Sequence, residues 1–376
     1  MAKKMYVGVS DVARKVSKIY VGVNGVARKV KKAYVGVNGV AKQFFQYVQQ
    51  PAPNLPSVRA FGASTTTGDK NYALFGGGSP TLSSSNATSD VYTYDRSLTR
   101  STATNMSVTS FGGTATTVGN YALFNAGASA PNTTPPNINA YSNSLVRSNP
   151  SSLSQGTYAA ASTNVGEYAL FGGGLIGGGS VTNIVNAYNT SLTRTNPSNL
   201  STSRYYHSAT PTGNGNYALF GGGSANGADV NIVDTYNTSL TKGTATTLSL
   251  KNITSSTTVG NYAIFILRRE SGDVNAYDNS LTRTIPTGTA NNNIGYNAST
   301  SVGNYALFGG GGASTVIDKV YTYDTSLTKR TATNLSVARN YLSAVTINGY
   351  GLFIGGNKDS TAYNTVDTYD SDCNKL

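Results

Sequence analysis

Tyr168-Ala-Leu-Phe-Gly-Gly-Gly174 is one copy of a motif that recurs along the 376-residue chain. Six further copies keep its aromatic-aliphatic pattern and begin at Tyr72, Tyr121, Tyr217, Tyr262, Tyr305 and Tyr350. Successive copies are 49, 47, 49, 45, 43 and 45 residues apart. Each unit has room for about four short strands. The spacing therefore predicts an all-β, seven-bladed β-propeller with four-stranded blades.

A second tyrosine follows each glycine-containing strand. Its copies are Tyr94, Tyr141, Tyr188, Tyr236, Tyr277, Tyr323 and Tyr369. Asp or Asn often comes next, and Ser-Leu-Thr follows in most copies, as at Ser97-Leu98-Thr99. The whole pattern resembles the kelch repeat, although the tryptophan that follows Tyr-Asp in kelch repeats is absent. This resemblance covers about 85% of the chain and implies a kelch-like propeller.

The composition agrees with an all-β fold and limits the chemistry. Glycine occurs 42 times, tryptophan is absent, and only 12% of the residues are charged. With one histidine, His207, and one cysteine, Cys373, the chain can build neither a His/Cys metal cluster nor an internal disulfide. Acidic residues do not cluster. We therefore predict no catalytic residue, no metal site, no cofactor and no enzymatic activity.

The first 50 residues differ from the rest in charge. They contain 10 of the 28 Lys and Arg residues and one of the 16 acidic residues, a balance of +9. The remaining 326 residues have a balance of only +3, since they hold 18 basic and 15 acidic residues. Such a shift indicates a domain boundary. We place a basic segment at 1–43 and the propeller at 44–376.

The basic segment has a 14-residue repeat. Tyr-Val-Gly-Val begins at Tyr6, Tyr20 and Tyr34, and two copies continue with Asn-Gly, a strong hairpin-turn signal. The sequence predicts three small hairpins that dock on a partner or on copies of the same chain, because one apolar face cannot bury much alone. A nucleic-acid patch is the alternative, which the lack of any other nucleic-acid module disfavours. The predicted anchoring or assembly residues are Tyr6, Tyr20, Tyr34, Val23, Val26, Val37 and Val40.

The two ends of the chain predict how the propeller closes. The last copy stops at Leu376, before a fourth strand is expected, and residues 53–59 resemble residues 333–339. We therefore expect a strand at about 44–53, which includes Phe44-Phe45-Gln-Tyr47-Val48, to join the seventh blade.

Ligand binding is expected in the variable loops between the two tyrosine landmarks. They are rich in Ser, Gly, Asn and Thr. They include Ser79–Asp90, Ala128–Asn137, Leu175–Asn183, Ser224–Asn231 and Ala313–Lys319. In the fifth copy Ile266-Leu267-Arg268-Arg269-Glu270 replaces the triple glycine. Its charged residues Arg268, Arg269 and Glu270 are candidate ligand-binding residues, and the alternative is a shortened turn with its own salt bridge. Tyr205-Tyr206-His207 could form an aromatic platform for a sugar, but its alignment with residues 340–342 favours a strand position.

The 14-residue repeats of residues 5–43 resemble tandem repeats in structural proteins of phages and prophages of Gram-positive hosts. The resemblance implies a virion surface protein, such as a head or tail fibre, whose repeats bind other virion proteins and whose propeller attaches to a host glycan or other surface polymer. No membrane span or signal peptide is evident, which fits a protein released by lysis. A bacterial adhesion propeller and a polysaccharide-acting enzyme are the alternatives.

Overall fold

The structure is a computed structural model. It describes residues 6–9, 12–15, 20–23, 26–30, 32–37, 40–46, 49–251, 255–267, 274–286, 294–312 and 315–376, and before residue 49 it describes the pairing of the backbone strands. The chain divides into two compact units, Met1–Pro51 and Ala52–Leu376.

The first unit contains three two-stranded antiparallel sheets. Its strands are β1 (Tyr6–Val9), β2 (Val12–Lys15), β3 (Tyr20–Val23), β4 (Val26–Lys29), β5 (Lys32–Val37) and β6 (Val40–Gln46). Val23 pairs with Val26 in the hairpin predicted from the Asn-Gly signal, and the other two hairpins have the equivalent pairing. In the third hairpin β6 continues past residue 43, because Phe45 and Gln46 pair with Ala33 and Lys32.

The second unit is a propeller of seven antiparallel blades. Blade 1 consists of β7 (Ala63–Thr66), β8 (Tyr72–Gly76), β9 (Val91–Asp95) and β10 (Arg100–Ala103), and blade 2 consists of β11 (Ala115–Val118), β12 (Tyr121–Asn125), β13 (Ile138–Ser142) and β14 (Arg147–Ser148). Blade 3 consists of β15 (Ala161–Val165), β16 (Tyr168–Gly172), β17 (Val185–Asn189) and β18 (Arg194–Thr195). Blade 4 consists of β19 (Ser208–Pro211), β20 (Tyr217–Gly221), the short hairpin β21 (Ser224–Ala225) and β22 (Ala228–Asp229), β23 (Val233–Asn237) and β24 (Lys242–Thr244).

Blades 5 to 7 continue the order. They consist of β25 (Ser255–Val259), β26 (Tyr262–Ile266), β27 (Val274–Tyr277) and β28 (Arg283–Thr284); β29 (Ala298–Val302), β30 (Tyr305–Gly309), β31 (Val320–Asp324) and β32 (Lys329–Ala332); and β33 (Ser343–Ile347), β34 (Tyr350–Ile354), the short hairpin β35 (Asn357–Lys358) and β36 (Thr361–Ala362), and β37 (Val366–Tyr369). One 3-10 helix, Ser84–Asn86, lies in the first blade's long loop.

The Tyr-Ala-Leu-Phe strands build the core, which lies in seven layers between adjacent blades. Leu74 of blade 1 packs with Ala122 and Phe124 of blade 2, so Leu faces the next blade, whereas Ala and Phe face the preceding one. The first glycine of the motif gives this Phe room. A Cβ on Gly309 would lie 2.7 Å from the Phe353 ring, so any side chain at this position would clash with the ring.

The two landmarks of each repeat meet inside a blade. Phe124 and Tyr141 pack edge to face with ring centroids 5.8 Å apart, and the equivalent rings meet in the blades that follow. Such pairs contribute about 0.5–1.5 kcal/mol each beyond area burial. Burial raises the pKa of Tyr141, so its hydroxyl stays protonated and donates to Thr104 O at 2.8 Å.

A basic residue six positions after that tyrosine also binds the connector between its blade and the preceding one. Tyr141 donates to Thr104 O and Arg147 Nη1 to the next carbonyl, Asn105 O, at 2.7 Å. In blade 7 Tyr369 and Lys375 repeat the arrangement. A tyrosine and the Arg or Lys six positions later therefore bind, in both cases, the connector that joins their blade to the preceding one.

Two buried ion pairs join a connector to the blade that follows it. Arg339 Nη2 lies 2.8 Å from Asp367 Oδ2 and donates to Phe353 O, and Arg204 lies 2.8 Å from Asp234. Burial opposes ionisation of Asp367, yet Arg339 and Lys375 hold its pKa below the ordinary value.

Blade 7 has three strands, as expected from the point at which its last repeat stops, and the C-terminal residues add a single bridge beside them. Lys375 pairs with Tyr369, and Leu376 N donates to Thr368 O at 2.9 Å. The turn before them matches the Ser-Leu-Thr turns, with Cys373 (φ 62°) in place of leucine. Ala52 N donates to Thr368 Oγ1 at 2.9 Å, so both ends of this unit meet at the blade. Tyr47 and Val48 lie outside the described residues, and the closing strand at about 44–53 stays a prediction.

Candidate functional site

One end of the propeller gathers the long loops around the central channel. The innermost strands begin at this end and the second strands finish there, because the two are antiparallel. The connectors and the loops between second and third strands therefore lie together. We call this end the mouth face. The short turns at the opposite end, such as the one that contains Val146, form the turn face.

One position just before each innermost strand forms the mouth itself. Six of the seven mouth positions are described, and all have left-handed backbone conformations. They are Phe61 (φ 60°), Gly112 (61°), Ala159 (52°), Tyr206 (51°), Tyr296 (61°) and Tyr341 (51°). A bulky residue at positive φ is strained, and such strain clusters at functional sites. The seventh position, residue 253, lies outside the described residues.

Backbone hydrogen bonds join these positions into a belt. Each donor is the amide of one mouth position, and each acceptor is the carbonyl of the preceding one. The pairs are Gly112 N to Phe61 O, Ala159 N to Gly112 O, Tyr206 N to Ala159 O, Tyr341 N to Tyr296 O and Phe61 N to Tyr341 O, at 2.9 to 3.1 Å. The belt fixes the left-handed residues, which gives their side chains defined positions.

Aromatic rings follow the belt around much of the mouth. Phe111 stacks on Phe61 with centroids 4.4 Å apart, Phe61 on Tyr341 at 4.1 Å, and Tyr341 contacts Tyr296 at 4.4 Å. Tyr206 meets Tyr296 edge to face at 6.1 Å, and its side chain is 45% exposed. Neighbouring rings shield the Tyr206 hydroxyl and raise its pKa to about 12, with Tyr296 adding to the shift, so it is a neutral donor.

The channel wall behind the mouth is lined by small residues whose hydroxyls pair with each other. Hydroxyl pairs cross between innermost strands of adjacent blades at 2.6 to 2.9 Å: Ser64–Ser343, Thr65–Thr117, Thr114–Ser162, Ser208–Ser256, Thr210–Thr258 and Thr300–Thr346. At three junctions the equivalent residues are both alanine: Ala63/Ala115, Ala161/Ala209 and Ala298/Ala344. The wall hydroxyls therefore satisfy one another.

The channel and its mouth enclose a cavity of about 380 Å³. Among the described residues that line it there is no Asp, Glu, Lys or Arg. The one titratable ring that could act as a base is that of His207, which is 6% exposed and packs against Phe220 and the Gly173 backbone. Burial, with Arg204 nearby, lowers its pKa well below 6.5. The mouth therefore offers stacking and neutral hydrogen bonds.

The residues chosen from the sequence lie elsewhere. Arg268, Arg269 and Glu270 fall outside the described residues, so their ligand-binding role stays a prediction. The anchoring residues Tyr6, Tyr20, Tyr34, Val23, Val26, Val37 and Val40 lie in paired strands of the first unit, where their side chains are outside the described part.

Sequence reasoning undervalued Tyr206. Its predicted equivalence to Tyr341 is confirmed by the shared left-handed conformation and place in the belt. However, both residues lie at the mouth before the strand begins, rather than within a strand. The available signal was an aromatic residue at the same repeat position in four copies, at Phe61, Tyr206, Tyr296 and Tyr341.

Among the described residues, no helix is long and apolar enough to cross a membrane. In the same part of the chain, no three His, Cys, Asp or Glu residues are grouped so as to hold a metal ion. Burial raises the pKa of the Cys373 thiol to about 12, and Asp370 and Asp372 add to this, so the thiol is unreactive.

Comparison with known proteins supports the architecture. A solved structure titled "Structure of YjhT" is similar to this chain, with a TM-score of 0.56 and 10% identity, over 86% of this chain and 98% of that one. A likeness at this identity shows the propeller fold alone. No family model matches the chain, and a search of curated proteins gave no match.

Proposed function

We propose that the protein is a non-enzymatic virion surface protein that attaches to host-surface glycans through the mouth face of its propeller and is anchored by its N-terminal hairpins. The observation that supports attachment is the set of aromatic side chains of Phe61, Tyr206, Tyr296 and Tyr341 around a mouth whose described lining has no charged side chain. Tyrosines combine a large apolar ring with a neutral donor, which suits a sugar's apolar face and hydroxyls.

The virion role rests on the resemblance of the 14-residue repeats to those of phage structural proteins. The regular pairing of all three hairpins supports a repeated structural module. An isolated two-stranded sheet is marginally stable in water, so a partner or further copies of the chain would stabilise it. Several copies on one particle would also convert weak glycan contacts into firm attachment.

Attachment can be tested with fluorescently labelled protein on intact Gram-positive cells and their purified wall polysaccharides. Wild-type protein should bind, and periodate oxidation of the sugars should abolish binding. The double variant Tyr206→Gly/Tyr296→Gly should lose most binding, since glycine tolerates the left-handed positions, as Gly112 does. Val146→Ala is the control, because this residue is 65% exposed on the turn face. Binding that survives oxidation would contradict a glycan ligand, and turnover of a polysaccharide would contradict a non-enzymatic role.

Anchoring can be tested separately by mass photometry of the full chain beside a chain that begins at Ala52, the start of the second unit. The proposal predicts a defined oligomer, or a complex with virion proteins, that is lost on truncation. If both chains form particles with the same number of copies and bind virions equally well, an anchoring role is contradicted.

A further inference from the structure

A second cavity lies on the mouth face, away from the channel. It is enclosed by the long loops of blades 1, 2 and 3, at 77–90, 126–137 and 173–184, and has a volume of about 430 Å³. Ligand-binding clefts typically measure about 300–1,000 Å³. We call it the three-loop pocket. Phe111, which begins the aromatic stack, lines this pocket, and the next residue, Gly112, lines the channel cavity.

The aromatic walls of the three-loop pocket are held by the backbone. Phe111 N donates to Ala128 O at 2.8 Å, and Ala128 N donates back at 2.9 Å. Tyr158 and Leu175 exchange the same two bonds at 2.9 and 2.8 Å. Each aromatic residue is thereby fixed to the base of its own blade's loop. A preformed aromatic wall binds a ligand with little loss of conformational freedom.

The rest of the lining is aliphatic or neutral and polar. Leu82 is 44% exposed, unlike the other described leucines, which are buried or half-buried. Pro131 and Ile176 line the pocket from the other two loops, and Asn132 and Thr133 supply an amide and a hydroxyl. No charged residue is among the described lining residues. The loops are tied together where Gly177 N donates to Thr134 Oγ1 at 2.9 Å.

We propose that the three-loop pocket binds an uncharged sugar residue that carries a methyl or acetyl group, such as an N-acetylated or 6-deoxy hexose. This inference rests on the proposed attachment to glycans. The sugar ring would stack on Phe111 and Tyr158, its methyl group would contact Leu82 and Ile176, and its hydroxyls would face the neutral polar groups. A charged sugar would lose hydration without gaining a counter-charge, so it is rejected.

The test is a ligand-observed NMR titration of the full-length protein with four probes. These are methyl N-acetyl-β-D-glucosaminide, methyl α-L-rhamnoside, methyl β-D-glucoside and methyl β-D-glucuronide. At least one of the first two should bind about tenfold more tightly than the glucoside, because a buried methyl group distinguishes ligands by about 10- to 200-fold. The glucuronide should not bind. Equal affinity for the glucoside, or no binding by either the N-acetylated or the 6-deoxy probe, overturns the proposal.

Variants place the ligand in this pocket. Leu82→Asp should weaken the preferred probe about tenfold and leave the melting temperature unchanged, because Leu82 is exposed. Ser85→Asp is the matched control, since it adds the same charge to the same loop outside the described lining and should bind normally. Phe111→Leu, which removes the ring and keeps an apolar side chain, should also weaken binding. Unchanged binding by Leu82→Asp and Phe111→Leu overturns the proposal.

Failure of this inference is distinguishable from failure of the proposed function. If wild-type protein attaches to cells and Leu82→Asp attaches equally well, the pocket assignment is wrong and attachment stands. If wild-type protein does not attach to any glycan-bearing surface, the proposed function falls as well.

Discussion

The channel wall and the channel mouth come from neighbouring residues of the same seven repeats, yet they are built differently. Along the wall, hydroxyls pair across blade junctions, as Ser208 does with Ser256 at 2.6 Å, or both partners are alanine. At the mouth, strained left-handed residues display aromatic rings, and Tyr206 is 45% exposed. Groups that satisfy one another hold a framework together, whereas strained and exposed groups are available to a ligand. We expect substitutions in the framework to change stability and those at the mouth to change binding.

The largest effect on stability should come from the buried ion pair of Arg339 and Asp367. Arg339→Ile removes one of the two cations beside Asp367 and leaves this carboxylate, which is 3% exposed, paired with Lys375 alone, at an expected cost of about 3 kcal/mol in the free energy of unfolding. The double variant Arg339→Ile/Asp367→Tyr should recover most of this cost, because blade 6 has Ile294 and Tyr321 at these positions. Denaturant unfolding measures both, and a double variant no more stable than the single one would contradict the account.

The second-largest effect should be the dependence of the free energy of unfolding on pH, which His207 causes. Its folded-state pKa is lowered well below 6.5, so below about pH 6.5 the unfolded chain takes up a proton that the folded protein does not. Stability should therefore fall with decreasing pH by up to about 1.4 kcal/mol per pH unit. Unfolding between pH 7.5 and 5, above the range in which carboxylates titrate, measures this slope. His207→Leu, which copies Leu342, should flatten it, and an unchanged slope would contradict the buried neutral state.

A hydroxyl pair of the wall should give a smaller effect. Ser208→Ala leaves Ser256 without its partner and should cost about 1 kcal/mol. Ser208→Ala/Ser256→Ala copies the alanine pairs of other junctions and should be nearly as stable as wild type. Glycan binding should be unchanged in both variants. A double variant less stable than the single one, or weaker binding in either, would show that the wall is more than a framework.

The smallest effect on stability should come from the mouth. Tyr206→Gly relieves a left-handed residue while losing a half-exposed ring, so the free energy of unfolding should change by no more than about 0.5 kcal/mol. Thermal unfolding checks this, with Phe220→Ala, a fully buried core residue, as the destabilised reference. A loss near that of the reference would make Tyr206 a packing residue.

Most of the fold could be predicted from the sequence, because the number and spacing of the repeats can be read directly along the chain. The tyrosine spacing predicted seven blades, and Asn24-Gly25 predicted the hairpin in which Val23 pairs with Val26. The three-stranded blade 7 was also predicted, but the bridge between Lys375 and Tyr369 was missed because Cys373 replaces the usual Leu of the turn before it.

The site was harder to predict. The mouth is formed by residues that lie about 45 positions apart in the chain, and a belt of backbone hydrogen bonds between repeats holds these residues in the left-handed conformation. Neither leaves a local motif. The locally unusual residues 268–270 therefore became the candidate site, and the alignment of Tyr206 with Tyr341 favoured a strand position. Comparison of the same position across the seven repeats would have found it.

The most direct test of the account compares two double variants for attachment to Gram-positive cells. Tyr206→Gly/Tyr296→Gly alters the mouth, and Ser208→Ala/Ser256→Ala alters the wall a few residues away. The account predicts that the first variant loses attachment with its melting temperature preserved, and that the second attaches like wild type. Equal attachment by both variants, or loss in the wall variant alone, would contradict the claim that the mouth is the binding surface.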